Sequence, residues 1–229
     1  MAICYQTIFL WVRGVLYMTS VANRRSMMGL YSGNTCLRSH QVRIVLAEKG
    51  ILTEINNIDG SDVPEDVMAL NPYVSLPTLI DRELVLYDSR VIVEYLDERY
   101  PHPPLMPVSP VDRAKLRLGL ATLERDIVEP AVALDLVLGT RAENAHRKKL
   151  KSLLLSSANL FGIQRYFLSD DFTIVDCVIA PILWRLDLFG IELSDDQKSI
   201  SSYMERIFSR NAFKESMTED EEEMRPANF

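Results

Sequence analysis

The sequence predicts an α/β domain with a mixed four-stranded sheet, followed by an all-α domain. Three observations predict it. Short apolar runs bounded by turn residues, the signature of strands, occur only before residue 101. Beyond residue 109 apolar residues recur at helical spacing alone. Between the two lies Pro101-His102-Pro103-Pro104-Leu105-Met106-Pro107, a proline-rich connector that neither a helix nor a central strand accommodates.

The first strand spans Ser26 to Ser32 and ends in the turn Gly33-Asn34-Thr35. Val42, Ile44, Val45 and Leu46 then mark a helix that stops at Gly50. Leu52 to Ile58 alternates and reads as the second strand. Pro64 to Leu70 is a short helix with Asp62 or Val63 ahead of a proline at its first position. Thr78–Asp81 and Leu84–Tyr87 form a hairpin about Arg82 and Glu83. Asp88 or Ser89 caps a helix running to Arg99. Pro77 cannot donate to a ladder, yet it directly precedes a strand. A cis Leu76–Pro77 bond resolves this, and it leaves the Leu76 N–H and C=O free to pair with an extended peptide. The order β-α-β-α-β-β-α is thioredoxin-like.

In the second half, Ser109-Pro110-Val111-Asp112 reads as a capping box opening a helix towards Leu138, kinked or split at Pro130. Leu116, Leu120, Leu123 and Ile127 make one apolar stripe; Leu118, Val128, Val132 and Leu136 lie elsewhere around the helix. One face can fill the protomer core and the other a partner groove, so a homodimer is expected. Arg141 to Leu160 is the next helix, and its His146, Arg147, Lys148, Lys149 and Lys151 read as a solvated face or, less simply, a nucleic-acid contact. Thr173-Ile174-Val175-Asp176 is a second capping box. The helix that it opens, Ile174 to Leu188, is nearly apolar all round and so should be buried. Ser194 to Gln197 starts a helix through Phe208. The division expected is therefore 1–26, an extension outside the fold; 27–101, thioredoxin-like; 102–109, linker; 110–217, helical; and 218–229, an acidic tail that frays. Met18 followed by a polar stretch reads as the natural start, the alternative for the preceding apolar run being a short membrane-surface anchor.

A net charge of −7 argues against sequence-independent binding to nucleic acid, which needs a basic face, and no direct nucleic-acid partner is expected. Three sparse cysteines, Cys4, Cys36 and Cys177, supply no disulfide framework and fit a reducing, cytoplasmic setting. The apolar run Ile8–Met18 is too short to span a bilayer, so no membrane partner is expected. His40, His102 and His146 fall in no metal-ligand spacing with the cysteines, so no metal site is expected. Cys36 stands where the first helix begins. It is either a thiol activated by the helix N-terminus or a half-buried small hydrophobe.

Val74-Ser75-Leu76-Pro77-Thr78-Leu79, Tyr87-Asp88-Ser89-Arg90 and the Thr173–Asp176 cap together resemble the glutathione S-transferase fold over Met27 to about Phe213. Ser39-His40-Gln41-Val42-Arg43-Ile44-Val45-Leu46-Ala47-Glu48-Lys49-Gly50 and Glu94 to Pro107, with Tyr166–Asp170 and Ala180–Leu186, are similar to the stringent starvation protein A family. That resemblance implies a homodimeric regulator of stress-response transcription, associated with RNA polymerase holoenzyme and lacking catalytic residues and cofactor. It also implies that the Pro101, His102 and Pro103 surface binds the partner. The transferase resemblance implies a vestigial glutathione site at Cys36, Leu76, Pro77, Asp88 and Ser89. The alternative reading is a cysteine-type glutathione S-transferase or thiol reductase using Cys36.

Overall fold

The computed structural model describes residues 27–60, 63–194 and 197–225. The expected start at Met18 and the extension before it lie outside the described residues. Among them the first domain comprises β1 (Gly29–Gly33), α1 (Leu37–Glu48), β2 (Glu54–Ile58), α2 (Glu65–Leu70), β3 (Thr78–Asp81), β4 (Leu84–Leu86) and α3 (Ser89–Arg99). The sheet order is β2-β1-β3-β4. β1 pairs parallel with β2 and antiparallel with β3, as in Leu30↔Ile55 and Leu30↔Leu79. Side-chain alternation along each strand divides the buried residues between two faces. Leu30 and Leu79 join the main core, whereas Tyr31, Ile80 and Val85 pack with Val67 and Leu70 of α2.

The second domain comprises α4 (Pro110–Leu123), α5 (Glu129–Asp135), α6 (Glu143–Ser156), α7 (Ile174–Trp184), α8 (Lys198–Phe208), α9 (Asn211–Glu215) and α10 (Glu219–Glu222). All eleven residues of α7 are buried, as a run that is apolar except for Asp176 leads one to expect. The Thr173–Asp176 capping box forms, with the Asp176 carboxylate accepting the Thr173 N–H at 2.8 Å. Asp176 also accepts the Tyr203 hydroxyl at 2.6 Å and the Phe167 N–H at 2.9 Å, so this cap ties α7 to α8.

Several local expectations are corrected. Pro64 is itself the N-cap of α2; its carbonyl accepts the Val67 and Met68 N–H groups. The Ser109 side chain makes no cap bond, and the Asp112 carboxylate pairs with Lys115 at 3.3 Å. The kink or split expected at Pro130 is, by contrast, borne out: a π-helical turn, Glu124–Val128, interrupts the helix, with Glu129 between it and Pro130. Proline has no N–H for the carbonyl four residues back, and the widened turn absorbs that loss. Val128 is fully buried in the protomer, whereas Leu118 and Leu136 are 70% and 80% exposed. Arg147 is not simply solvated: its Nε donates to the Phe189 carbonyl at 2.6 Å.

The largest correction concerns the acidic run. Glu219–Glu222 is a helix capped by Thr218, and the Glu221 side chain is fully buried. Its carboxylate meets Arg43 of α1 at 2.5 Å and Arg185, just past α7, at 2.6 Å. The Trp184 indole donates to the Glu221 carbonyl at 2.7 Å. The Thr218 hydroxyl donates to the Asn34 carbonyl at 2.8 Å. The segment expected to fray is thus a clasp joining the two domains.

Candidate functional site

Two sites deserve geometric description: the proline-rich turn after α3, and the cleft at the start of α1.

Pro101, His102, Pro103 and Pro104 are all exposed, while Leu105 and Met106, which follow directly, are buried. The chain therefore leaves the core for four residues and returns. Three of the four are prolines, so His102 alone supplies a backbone N–H there. A Tyr100-to-Pro103 turn would ordinarily be closed by the N–H of its fourth residue. Pro103 has none. The closure comes instead from Lys49, just past the end of α1, whose Nζ donates to the Tyr100 carbonyl at 2.7 Å and the Pro103 carbonyl at 2.8 Å. Its third contact is the Asp97 carboxylate of α3 at 2.8 Å. Asp97 also accepts the Leu105 N–H at 2.8 Å. The Leu105 carbonyl in turn accepts the Ile174 N–H at 3.0 Å, which anchors the far side of the turn to the first residue of α7. His102 stands on a frame built from both domains. Sequence reasoning found the turn but missed Lys49 and Asp97. The signal was a cluster of prolines unable to satisfy its own carbonyls.

The second site is the peptide pocket. The Leu76–Pro77 bond is cis, as expected for a proline placed directly ahead of a strand. Cys36 is the N-cap residue of α1, and its thiol donates to the Leu76 carbonyl at 3.7 Å. It lines a cleft of about 540 Å³ shared with Gly33, Leu76, Val132, Asp135 and Leu136. Burial pushes the Asp135 carboxyl up from its ordinary value. A smaller neighbouring cleft of about 220 Å³ is lined by Arg38, Leu76, Pro77, Asp88, Ser89 and Arg90.

The polar groups of that smaller cleft are already engaged. Asp88 caps α3 by accepting the Arg90 N–H at 2.9 Å. Its carboxylate is gripped by the Arg90 guanidinium at 2.6 and 3.0 Å, which holds its pKa below the usual carboxylate value. Ser89 is buried, and its hydroxyl is turned to the Gln41 amide oxygen at 3.4 Å. Gln41 continues to the Val178 carbonyl at 3.1 Å, so this contact serves the domain interface. Arg38 is committed to Glu124 and Glu129 at 2.7 and 2.6 Å. The structure thus brings Cys36, Leu76, Pro77, Asp88 and Ser89 to one region. Pro101, His102 and Pro103 are at another. Among the described residues no cluster of His, Cys, Asp or Glu could hold a metal ion.

These two clefts sit on a frame that the family models recognise. The glutathione S-transferase N-terminal domain model matches residues 35–99, and the C-terminal domain model matches residues 138–211. A stringent starvation protein A homologue of Coxiella burnetii is 48% identical over 203 residues, covering 88% of this chain and 97% of that protein. The Pasteurella multocida homologue is 50% identical, covering 87% of this chain and 94% of that protein. The chain belongs to the stringent starvation protein A family.

Among solved structures, a glutathione S-transferase from Rhodospirillum rubrum superposes with a TM-score of 0.74 at 27% identity, covering 88% of this chain and 97% of that one. The stringent starvation protein A family therefore shares its fold with enzymes. The frame by itself does not decide between chemistry and binding. The side chains must.

Proposed function

We propose that this protein is a cytoplasmic, homodimeric regulator of the stress response that works by docking on RNA polymerase holoenzyme through Pro101, His102 and Pro103, without glutathione chemistry. One observation carries the reading: the turn holds four consecutive exposed residues in a shape fixed from beneath by Lys49 and Asp97. A rigid exposed segment loses little conformational entropy on docking, which suits protein recognition. His102 presents an imidazole that can donate or accept a hydrogen bond. The family to which the chain belongs supports a regulator over an enzyme.

The pocket supports the same conclusion. A γ-glutamyl amine would need the Asp88 carboxylate, and Arg90 already holds it. The Ser89 hydroxyl faces Gln41 rather than standing free for a ligand. The protein acts on transcription by touching polymerase subunits; its net charge of −7 does not favour contacts to the DNA backbone.

The test is the combined substitution Pro101→Ala, His102→Ala and Pro103→Ala. Replacing an exposed proline by alanine changes stability by about 0.4–1 kcal/mol, chiefly by loosening the unfolded chain, and the exposed His102→Ala by within about 0.5 kcal/mol. The variant is expected to keep its fold and oligomeric state and to lose co-purification with RNA polymerase and transcription activation. A folded variant that still binds and activates normally would place the docking surface elsewhere.

A further inference from the structure

Proline rings fix φ at three of the four residues of the turn, but they supply no N–H to close it. Across residues 101 to 104 the backbone offers only the His102 N–H, and the four side chains are exposed. What spans the turn is one buried side chain from another element. The Lys49 side chain is 0% exposed. An ammonium has three N–H bonds, and Lys49 has three acceptors around it: the Tyr100 carbonyl, the Pro103 carbonyl and the Asp97 carboxylate. The two carbonyls bracket Pro101 and His102. The carboxylate balances the charge and holds the Leu105 N–H, where the chain re-enters the core.

We infer that Lys49 and Asp97 are the positioning residues of the Pro101–Pro103 docking surface: they hold His102 in its binding orientation and touch no partner themselves. The inference rests on the proposed docking role of the turn. An ordinary buried ion pair would serve stability alone, and well-packed apolar residues often replace such a pair without loss. Here the pair does what apolar residues cannot. Two of the three ammonium bonds go to backbone carbonyls of a segment that lacks N–H donors. An apolar replacement fills the volume and leaves those carbonyls to solvent, so the turn is free to sample other shapes.

The decisive comparison is the double variant Lys49→Met with Asp97→Leu. It removes both charges together and strands neither. It is expected to fold with the wild-type circular dichroism spectrum and oligomeric state. In it, the backbone order parameter of the His102 amide should fall from the rigid level of about 0.85 to below about 0.6. Its affinity for purified RNA polymerase holoenzyme should fall at least about tenfold, since the binding-competent shape becomes a minor fraction of the ensemble. A folded double variant with wild-type affinity overturns the inference. So does one in which His102 stays rigid. If the double variant does not fold, the wild type still decides: an order parameter below about 0.6 at His102 means that no frame operates. Failure of the docking reading itself is separable. There, the Pro101→Ala, His102→Ala, Pro103→Ala variant would bind polymerase normally, whatever the Lys49 variants do.

Discussion

Glu221→Ala tests the docking of the C-terminal segment. In the wild type a fully buried carboxylate meets Arg43 and Arg185, which are themselves buried. Burial alone lowers the Arg43 pKa, and Glu221 opposes that shift; the charges are thus tolerated only as a set. Removing one partner of a buried ion pair costs about 3–5 kcal/mol, because the remaining charges stay desolvated and uncompensated. For a chain of 150–250 residues each kcal/mol moves the melting temperature by about 2–4 °C. The expected drop is therefore on the order of 6–20 °C. The neighbouring Glu222 is exposed, and Glu222→Ala should change stability by within about 0.5 kcal/mol. Glu221→Gln keeps the volume and one acceptor oxygen and should fall between the two. Urea titration of all four proteins at one temperature is the assay. The Glu221→Ala loss should appear in the midpoint, with little change in slope. If Glu221→Ala and Glu222→Ala lose the same small amount, the carboxylate is solvated. The acidic segment would then be a tail, not a clasp.

Three further outcomes are expected. His40 is buried, and burial together with Arg185 and Arg43 keeps its pKa well below the ordinary 6.5. Arginine only donates, so His40 Nδ1 accepts from Arg185 at 3.3 Å, and Nε2 keeps its proton for Ser216 at 3.2 Å. Below about pH 6.5 the unfolded chain takes up a proton that the folded chain refuses. Stability should then fall by up to about 1.4 kcal/mol per pH unit until the lower folded pKa is reached. His40→Gln should remove that slope, and identical pH profiles for the two proteins would refute the assignment. Cys36→Ser should bind polymerase as the wild type does. Neither protein should show glutathione-dependent disulfide reduction; a turnover present in wild type and lost in the variant would favour the enzyme reading. Sedimentation at micromolar concentration should give twice the chain mass. Leu118→Glu, at an exposed apolar position of α4, should shift it to the monomer mass; a wild-type monomer would exclude the dimer.

The layout of the two halves was legible in the sequence because it rests on local rules. A short apolar run ending in turn residues identified β1, alternation identified β2, and two short strands about a tight turn identified the β3–β4 hairpin. The turn before Pro77 and the Asp88 and Thr173 caps followed from the chemistry of single residues and their neighbours. The nearly all-apolar stretch from Ile174, opened by a capping box, read as a buried helix. The proline turn was visible as well, since three prolines in four residues exclude regular structure.

What only the tertiary structure decided is which distant groups answer one another. Lys49 ends α1 looking like any surface lysine. It becomes the brace of a turn some fifty residues on only because α1, α3 and the connector converge. Asp88 and Ser89 read as a pocket and do line a cleft, but the sequence did not show that Arg90 pairs with the one and Gln41 accepts from the other. Glu219-Asp220-Glu221-Glu222-Glu223 reads as a solvated charge run. Yet Arg43 sits between Val42 and Ile44, and Arg185 between Trp184 and Leu186. A buried arginine demands a counter-charge. Sequence can announce that demand, but the residue that meets it is chosen by where the folded chain brings its last helix.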